Sequence, residues 1–281
     1  MMASFVAASA TTTSKPATTA TRFFQSWPDA ASSAASFPKQ IRPDCVCSFD
    51  LNMVSISIEC EIPKEIGNIT LLNVFHCEHN NFTGSIPPQV FNISALTIIS
   101  LTSNFLSGQL PSDMGFWLPN LQGLYLDINQ FVGPFPMSIS NASKLILLDM
   151  SSNYFSGPVP VTLGNLRNLK FLNMELNNLT SLGMDFLSSL TNCKDLEILT
   201  FDNNPLISGE LPSVVGNLSS SLQMFYGSAC DIWGSIPSEI SNLSRLINIQ
   251  IGGNKFTGRI PTTIGGLKEL QSDTTVVMPS K

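Results

Sequence analysis

From Leu72 to Pro261 the apolar residues keep one rhythm. An apolar residue is followed by two others, an apolar residue, one other, an apolar residue, two others, and then Asn. Two places later stands another apolar residue, then a Gly, then an apolar residue followed by Pro. The first clear copy is Leu72, Phe75, Cys77, Asn80, Phe82, Gly84, Ile86, Pro87, and the second is Leu96, Ile99, Leu101, Asn104, Leu106, Gly108, Leu110, Pro111. Eight copies lie in register, marked by Asn80, Asn104, Asn129, Asn153, Asn177, Asn204, Cys230 and Asn254, with steps of 24, 25, 24, 24, 27, 26 and 24 residues. Partial copies flank them at Ile62, Pro63, Ile66, Gly67 and at Ile264, Gly265, Leu267, Leu270. A period of this length predicts a stacked array of small units. The apolar-x-apolar centre has period two, so each copy predicts a short strand with one buried face. Leu124 and Leu126 should point inward, Tyr125 and Asp127 outward. No such strand buries its face alone, so neighbours must do it collectively, in a parallel ladder on the order of 35–40 Å long.

The marker residue sits where the chain leaves the strand. An Asn amide both donates and accepts, so a column of them can satisfy backbone groups of successive turns, with Cys230 standing in once. The Gly permits backbone angles that a Cβ forbids, and the Pro ends the second half of the unit. This pattern resembles the leucine-rich repeat, and its Gly-x-apolar-Pro ending resembles the plant-specific subclass. Seven copies keep that ending, among them Gly157 to Pro160, Gly234 to Pro237 and Gly258 to Pro261. The Asn177 copy departs from it, running through Leu179, Leu182 and Gly183 into a longer, helix-like insert with Phe186, Leu187 and Leu190. That insert, with Thr191-Asn192-Cys193 and the later Gly216-Asn217-Leu218-Ser219, resembles the extracellular regions of plant leucine-rich-repeat receptor kinases. The resemblance implies an α/β solenoid: a right-handed superhelix, a parallel β-sheet on the concave face, and short helical or 3-10 segments on the convex face. It also implies recognition of a peptide or protein ligand, with or without a co-receptor, and signalling by a kinase elsewhere.

Composition narrows the function classes. Charged residues make up 12% of the 281-residue chain, and the formal net charge is −6. Residues 62–270 hold nine Lys or Arg against fourteen Asp or Glu, with no basic patch, which argues against nucleic acid. No apolar run approaches the length of a membrane-spanning helix. The segment 1–61 is of different material: its first 36 residues are rich in Ala, Ser and Thr, its first acid is Asp29, and Lys15 and Arg22 bring early positive charge. It reads as a low-complexity, disordered segment, transit-like in composition, with Cys45, Cys47 and Cys60 as remnants of the family's cap. Residues 62–270 form the repeat domain and 271–281 a tail. The family resemblance implies an extracellular or plasma-membrane setting, with a plastid-like N-terminus as the alternative.

Cys77 and Cys230 occupy core positions of the repeat, and a disulfide between Cys193 and Cys230 stays open, since spacing does not fix the separation of their backbones. Seven Asn-x-Ser/Thr sequons stand at Asn68, Asn81, Asn92, Asn141, Asn178, Asn217 and Asn242. Five of them (Asn68, Asn92, Asn141, Asn217, Asn242) recur on the segment returning to the next strand, a surface suited to glycans.

The chemistry-bearing residues do not assemble a catalytic unit. His76-Cys77-Glu78-His79 is dense in ligand types, but alternation sends His76 and Glu78 outward and Cys77 inward, so no metal site is expected. Asp127, Asp149, Glu175 and Asp202 come from four successive strands and read as a solvated acidic stripe, not as a glycosidase pair. No cofactor and no catalysis are expected. The weight falls on outward positions: Tyr125, Asp127, Asp149, Phe171, Asn173, Glu175, Thr200, Asp202 and Tyr226 are the candidate ligand-binding residues of the concave face. Exposed aromatics flanked by carboxylates suit a peptide with basic and apolar groups. Alternatives are a soluble inhibitor or scaffold of the polygalacturonase-inhibitor type, and a truncated receptor-kinase product without independent activity.

Overall fold

The computed structural model describes residues 60–271, and these form the expected stack of coils. Each coil opens with a three-residue strand: Val74–His76, Ile98–Ser100, Gly123–Tyr125, Leu147–Asp149, Phe171–Asn173, Ile198–Thr200, Met224–Tyr226 and Asn248–Gln250. These eight strands pair in sequence order into one parallel sheet, and equivalent residues of successive copies stand side by side, as in Leu124 beside Leu148 and Leu148 beside Leu172. Leu124 and Leu126 point inward, each with no exposed surface. The segments expected before residue 62 and after 271 lie, apart from Cys60 and Glu61, outside the described residues.

Two features were not legible in the repeat pattern. The first is a second parallel sheet of seven strands, running along the flank of the stack from Ser107–Gly108 to Lys255–Phe256. It is formed by the residues just past the marker position, for example Gln130–Pro134, Tyr154–Pro158 and Leu206–Glu210. The second is a left-handed backbone at the residue preceding each marker: His79, Ser103, Ile128, Ser152, Leu176, Asn203 and Ala229 have φ of 50–56°, and Gly253 has φ 67°. That conformation costs an L-residue about 1–2 kcal/mol, so the coil must over-determine it.

What over-determines it is the marker column. Asn153 accepts the Phe131 N–H at 3.0 Å and donates to the carbonyls of Leu126 (2.9 Å), Met150 (3.3 Å) and Ser151 (2.9 Å). Asn104, Asn129, Asn177, Asn204 and Asn254 repeat the arrangement. Each amide thus ties its own turn to the coil before it. Cys230 keeps only weak thiol contacts, at 3.4 Å to Phe201 O and 3.6 Å to Ser228 O. In the coil before it the buried position falls one residue later than elsewhere, at Ile207, whose N–H bonds Asn204 O at 3.0 Å.

Two places after the marker a further apolar column fills the middle of the stack, and its phenylalanines pack ring on ring. Phe131 stacks on Phe155 at 6.0 Å, and Phe135 meets Phe155 edge-on at 5.8 Å. Among the described residues the backs of the coils carry short 3-10 helices, such as Met137–Asn141, Val161–Asn165 and Ser238–Asn242, and short α-helices, the longest being Asp185–Leu190 in the insert. They approach closely because of glycine. A Cβ on Gly164 would lie 2.2 Å from the Ser189 carbonyl oxygen of the next coil.

The cysteines depart in part from the sequence reading. Cys77 is buried as expected, but it and Cys60 are both disulfide-bonded, whereas Cys193 and Cys230 are free thiols.

Candidate ligand-binding face

Counting back from the marker gives the outward surface of the first sheet in three columns. Six places back stand Val74, Ile98, Gly123, Leu147, Phe171, Ile198, Met224 and Asn248. Four back stand His76, Ser100, Tyr125, Asp149, Asn173, Thr200, Tyr226 and Gln250, and two back Glu78, Thr102, Asp127, Ser151, Glu175, Asp202, Ser228 and Gly252. No Lys or Arg occurs in any of them.

The geometry corrects the expectation of a solvated acidic stripe. Asp149 is 4% and Asp202 7% exposed. Parallel strands in register set equivalent side chains about 4.8 Å apart, so each residue is covered by its neighbours on both sides. The same crowding removes Phe171 from the exposed aromatics: it lies between Leu147 and Ile198 and is 3% exposed. Asn173 and Thr200 are also buried, leaving Tyr125, Asp127, Glu175 and Tyr226 half-buried as the accessible members of the predicted set. Tyr125 lies over its own strand, its ring 3.0 Å from where a Cβ on Gly123 would stand.

Neutral donors hold the buried carboxylates. Asp149 Oδ1 accepts the Ser151 hydroxyl (2.7 Å) and backbone N–H (3.0 Å), and its Oδ2 accepts the Asn173 amide at 3.2 Å. Asn173 in turn accepts from the Thr200 hydroxyl and the Glu175 N–H. Asp127 accepts the Thr102 hydroxyl at 2.6 Å, and Asp202 accepts the Ser228 N–H. At the first coil Glu78 accepts the Ser100 hydroxyl and pairs with His76 at 3.0 Å. Thr102, Ser151 and Ser228 were not among the predicted residues. Their signal was present, since they share a column with Asp127, Glu175 and Asp202.

The electrostatics follow from this packing. Burial, reinforced by the charge of Asp127, pushes the Asp149 carboxyl up to about 8. Burial pushes Asp202 up to about 7, with Glu175 adding to it. Asp127 is raised for the same primary reason. Burial and the surrounding carboxylates also raise the phenols of Tyr125 and Tyr226. Burial alone would raise Glu78, but hydrogen bonds from His76 and Ser100 outweigh it and leave it lowered, while the bond to Glu78 raises His76. Among the described residues no cationic side chain forms an ion pair with Asp127, Asp149 or Asp202. The face therefore holds negative charge, or protons in its place, at a surface edged by two tyrosines.

All seven sequon asparagines fall within the described residues. Asn68, Asn141, Asn217 and Asn242 each end a 3-10 helix and Asn92 caps the helix Pro88–Phe91, all exposed on the back. Asn178 is exposed on the flank sheet and Asn81 is half-buried. Ser219, whose hydroxyl completes the Asn217 sequon, is fully buried and donates to Lys194 O.

The leucine-rich-repeat family model matches residues 144–166. The LRR receptor-like serine/threonine-protein kinase EFR of Arabidopsis thaliana is 52% identical over 145 residues, covering 50% of this chain and 14% of that protein. The receptor kinase-like protein Xa21 of Oryza sativa subsp. japonica is 37% identical over 91 residues, covering 31% of the chain and 9% of Xa21. Among solved structures, the plant peptide hormone receptor RGFR1 in complex with RGF2 superposes with a TM-score of 0.71 at 34% identity, over 75% of this chain and 33% of that one. The Arabidopsis receptor kinase HAESA, in complex with the peptide hormone IDA and the co-receptor SERK1, gives 0.70 at 25% identity, over 75% and 35%. The chain thus spans a small part of the relatives it matches.

Proposed function

Taking the chain as a leucine-rich-repeat protein of the plant type, similar to receptor-kinase ectodomains, we propose that it is a non-catalytic recognition module. Its concave face binds a peptide or protein ligand bearing basic and apolar groups, in a receptor-like role in plant signalling or defence. The observation that carries this reading is the combination on one surface of Asp127, Asp149, Glu175 and Asp202 with Tyr125 and Tyr226, without a Lys or Arg in the three outward columns. A cationic ligand side chain would form charge-assisted hydrogen bonds to this acidic surface, and the tyrosines offer apolar area with little rotamer entropy to lose. Asn173 and Thr200 act as supports that fix Asp149, and Phe171 as packing beneath the surface.

The relatives support the class of ligand: RGFR1 is a peptide hormone receptor solved with RGF2, and HAESA was solved with a peptide hormone and a co-receptor. Such a role belongs outside the cell or at the plasma membrane, where the sequons on the back of the coils would carry glycans and leave the concave face clear. Residues 62–270 act as the recognition domain, with the segments on either side outside it. No helix among the described residues is long and apolar enough to cross a membrane.

A panel of synthetic peptides of about ten residues, pairing Lys or Arg with aliphatic residues, tests the proposal against acidic counterparts of the same length. Basic peptides should bind the full chain and lose about tenfold or more in affinity to the Tyr125→Ala, Glu175→Gln double variant. Equal binding of the acidic set, or indifference to the double variant, would place recognition elsewhere.

A further inference from the structure

The flank sheet has one irregular place, where the repeat itself is irregular. In regular coils the Gly of the Gly-x-apolar-Pro ending is covered by a side chain of the preceding coil: Gln109 lies over Gly133 and Glu210 over Gly234. At Gly209 the nearest neighbour is backbone instead. The preceding coil is the Asn177 coil, which lacks the ending, and it brings the backbone of Gly183 there before turning at Met184 into the insert helix. A Cβ on Gly209 would lie 2.9 Å from the Gly183 nitrogen, so glycine packs on glycine.

A recess of about 740 Å³ opens there, within the range of small-ligand sites. Trp233 forms one wall and leaves 49% of its surface exposed. Pro212 and Pro237 lie alongside, and Ser213, Ser235 and Glu210 line the recess with polar groups that point to solvent-accessible surface.

We infer that this recess is a carbohydrate-binding site, separate from the concave face, for a neutral oligosaccharide of two or three sugar units. The negative face of an indole attracts the polarised C–H bonds on the flat side of a pyranose ring. Serine hydroxyls donate and accept, and a carboxylate accepts from paired sugar hydroxyls. The lining contains no cation, which disfavours phosphate or an acidic sugar, and its apolar part comes chiefly from one indole and two proline rings interleaved with hydroxyls rather than from a run of aliphatic side chains that would hold an acyl chain. The sequence irregularity thereby acquires a role: where the Gly183 backbone takes the place of the usual side chain, the exposed indole of Trp233 is open to a ring.

Saturation-transfer NMR and calorimetry on the full chain test this, with cellohexaose, xylohexaose and mannohexaose as probes and hexaproline as the peptide control. At least one hexasaccharide should bind, and Trp233→Ala should weaken it about tenfold or more. Trp117→Ala, at an exposed indole outside the recess, and Tyr125→Ala, on the concave face, should leave that affinity unchanged. If Trp233→Ala fails to fold by circular dichroism, the Ser235→Ala, Glu210→Gln double variant takes its place with the same expected loss. Absence of a saturation-transfer signal for all three sugars, binding indifferent to these substitutions, or Trp233-dependent binding of hexaproline alone would overturn the inference.

Discussion

Replacing Asn153 with Ala probes the column that ties each coil to the last. In the structure the Asn153 amide makes one bond as acceptor and three as donor, and the shortest two donations, to Leu126 O and Ser151 O, are both 2.9 Å. Truncation leaves the buried Phe131 N–H without a partner, at about 1–3 kcal/mol. Loss of the two short donations adds about 0.5–1.5 kcal/mol each, so the total is about 2–6 kcal/mol. Asn80 provides the control. Its amide donates to Glu78 O at 2.8 Å in a partly buried position, so Asn80→Ala should cost only about 0.5–1.5 kcal/mol. Asn153→Cys should fall between wild type and Ala, because a thiol there would keep only weak contacts of the kind Cys230 makes. Urea denaturation of the full chain, followed by far-UV circular dichroism and tryptophan fluorescence, measures all three. If Asn153→Ala stayed within about 1 kcal/mol of wild type, or Asn80→Ala cost as much, the column would not be what holds successive coils together.

Other consequences are checked by the same denaturation experiment. Gly164→Ala should destabilise by more than the usual overpacking cost of about 1–3 kcal/mol, since the new methyl would lie 2.2 Å from the backbone of the next coil. Ile128→Asn should stabilise by about 1 kcal/mol, because a β-branched residue holds φ 55° there with its side chain half exposed, and Asn tolerates that region. The raised carboxyls of Asp149 and Asp202 bind protons more tightly in the folded state than in the unfolded chain. Their contribution is fully present below the ordinary Asp range and is lost as pH rises towards 7–8. Asp149→Asn should therefore gain stability relative to wild type as pH rises from about 5 to 8, and a constant difference across that range would contradict the assignment.

How much of this was legible follows from what each feature depends on. The direction of Leu124 and Leu126 depends on alternation within one strand, and the array on a period that recurs along the chain, so both could be read directly. The left-handed turn residues could not, because His79, Ser103, Ile128, Ser152, Leu176, Asn203 and Ala229 share no side-chain type. Their conformation belongs to the turn into the marker that follows, an Asn in every case but Ala229, and to its bonds with the neighbouring coil. The flank sheet escaped for a related reason: its strands run into the Gly and Pro of the repeat ending, and their hydrogen bonds come from other coils, not from local pattern. At the candidate site, alternation placed Asp149, Phe171 and Asp202 on the correct side of the sheet. Their burial depends on the size of residues some 24 positions away, and only the register of the strands reveals it. The supporting hydroxyls of Thr102, Ser151 and Ser228 were visible as a column once positions were counted from the marker.

A basic ligand bound on the concave face would place its cation beside Asp149 and Asp202. Asp149 and Asp202, with carboxyls near 8 and 7, are substantially protonated at neutral pH when no ligand is present. A bound Lys or Arg would ionise them and release protons. Calorimetric titration of a basic peptide at pH 7, in two buffers of different ionisation enthalpy, reads that release directly. Net proton release that disappears in the Asp149→Asn, Asp202→Asn variant is the expected result; binding with no proton release, or with the same release in that variant, would contradict it.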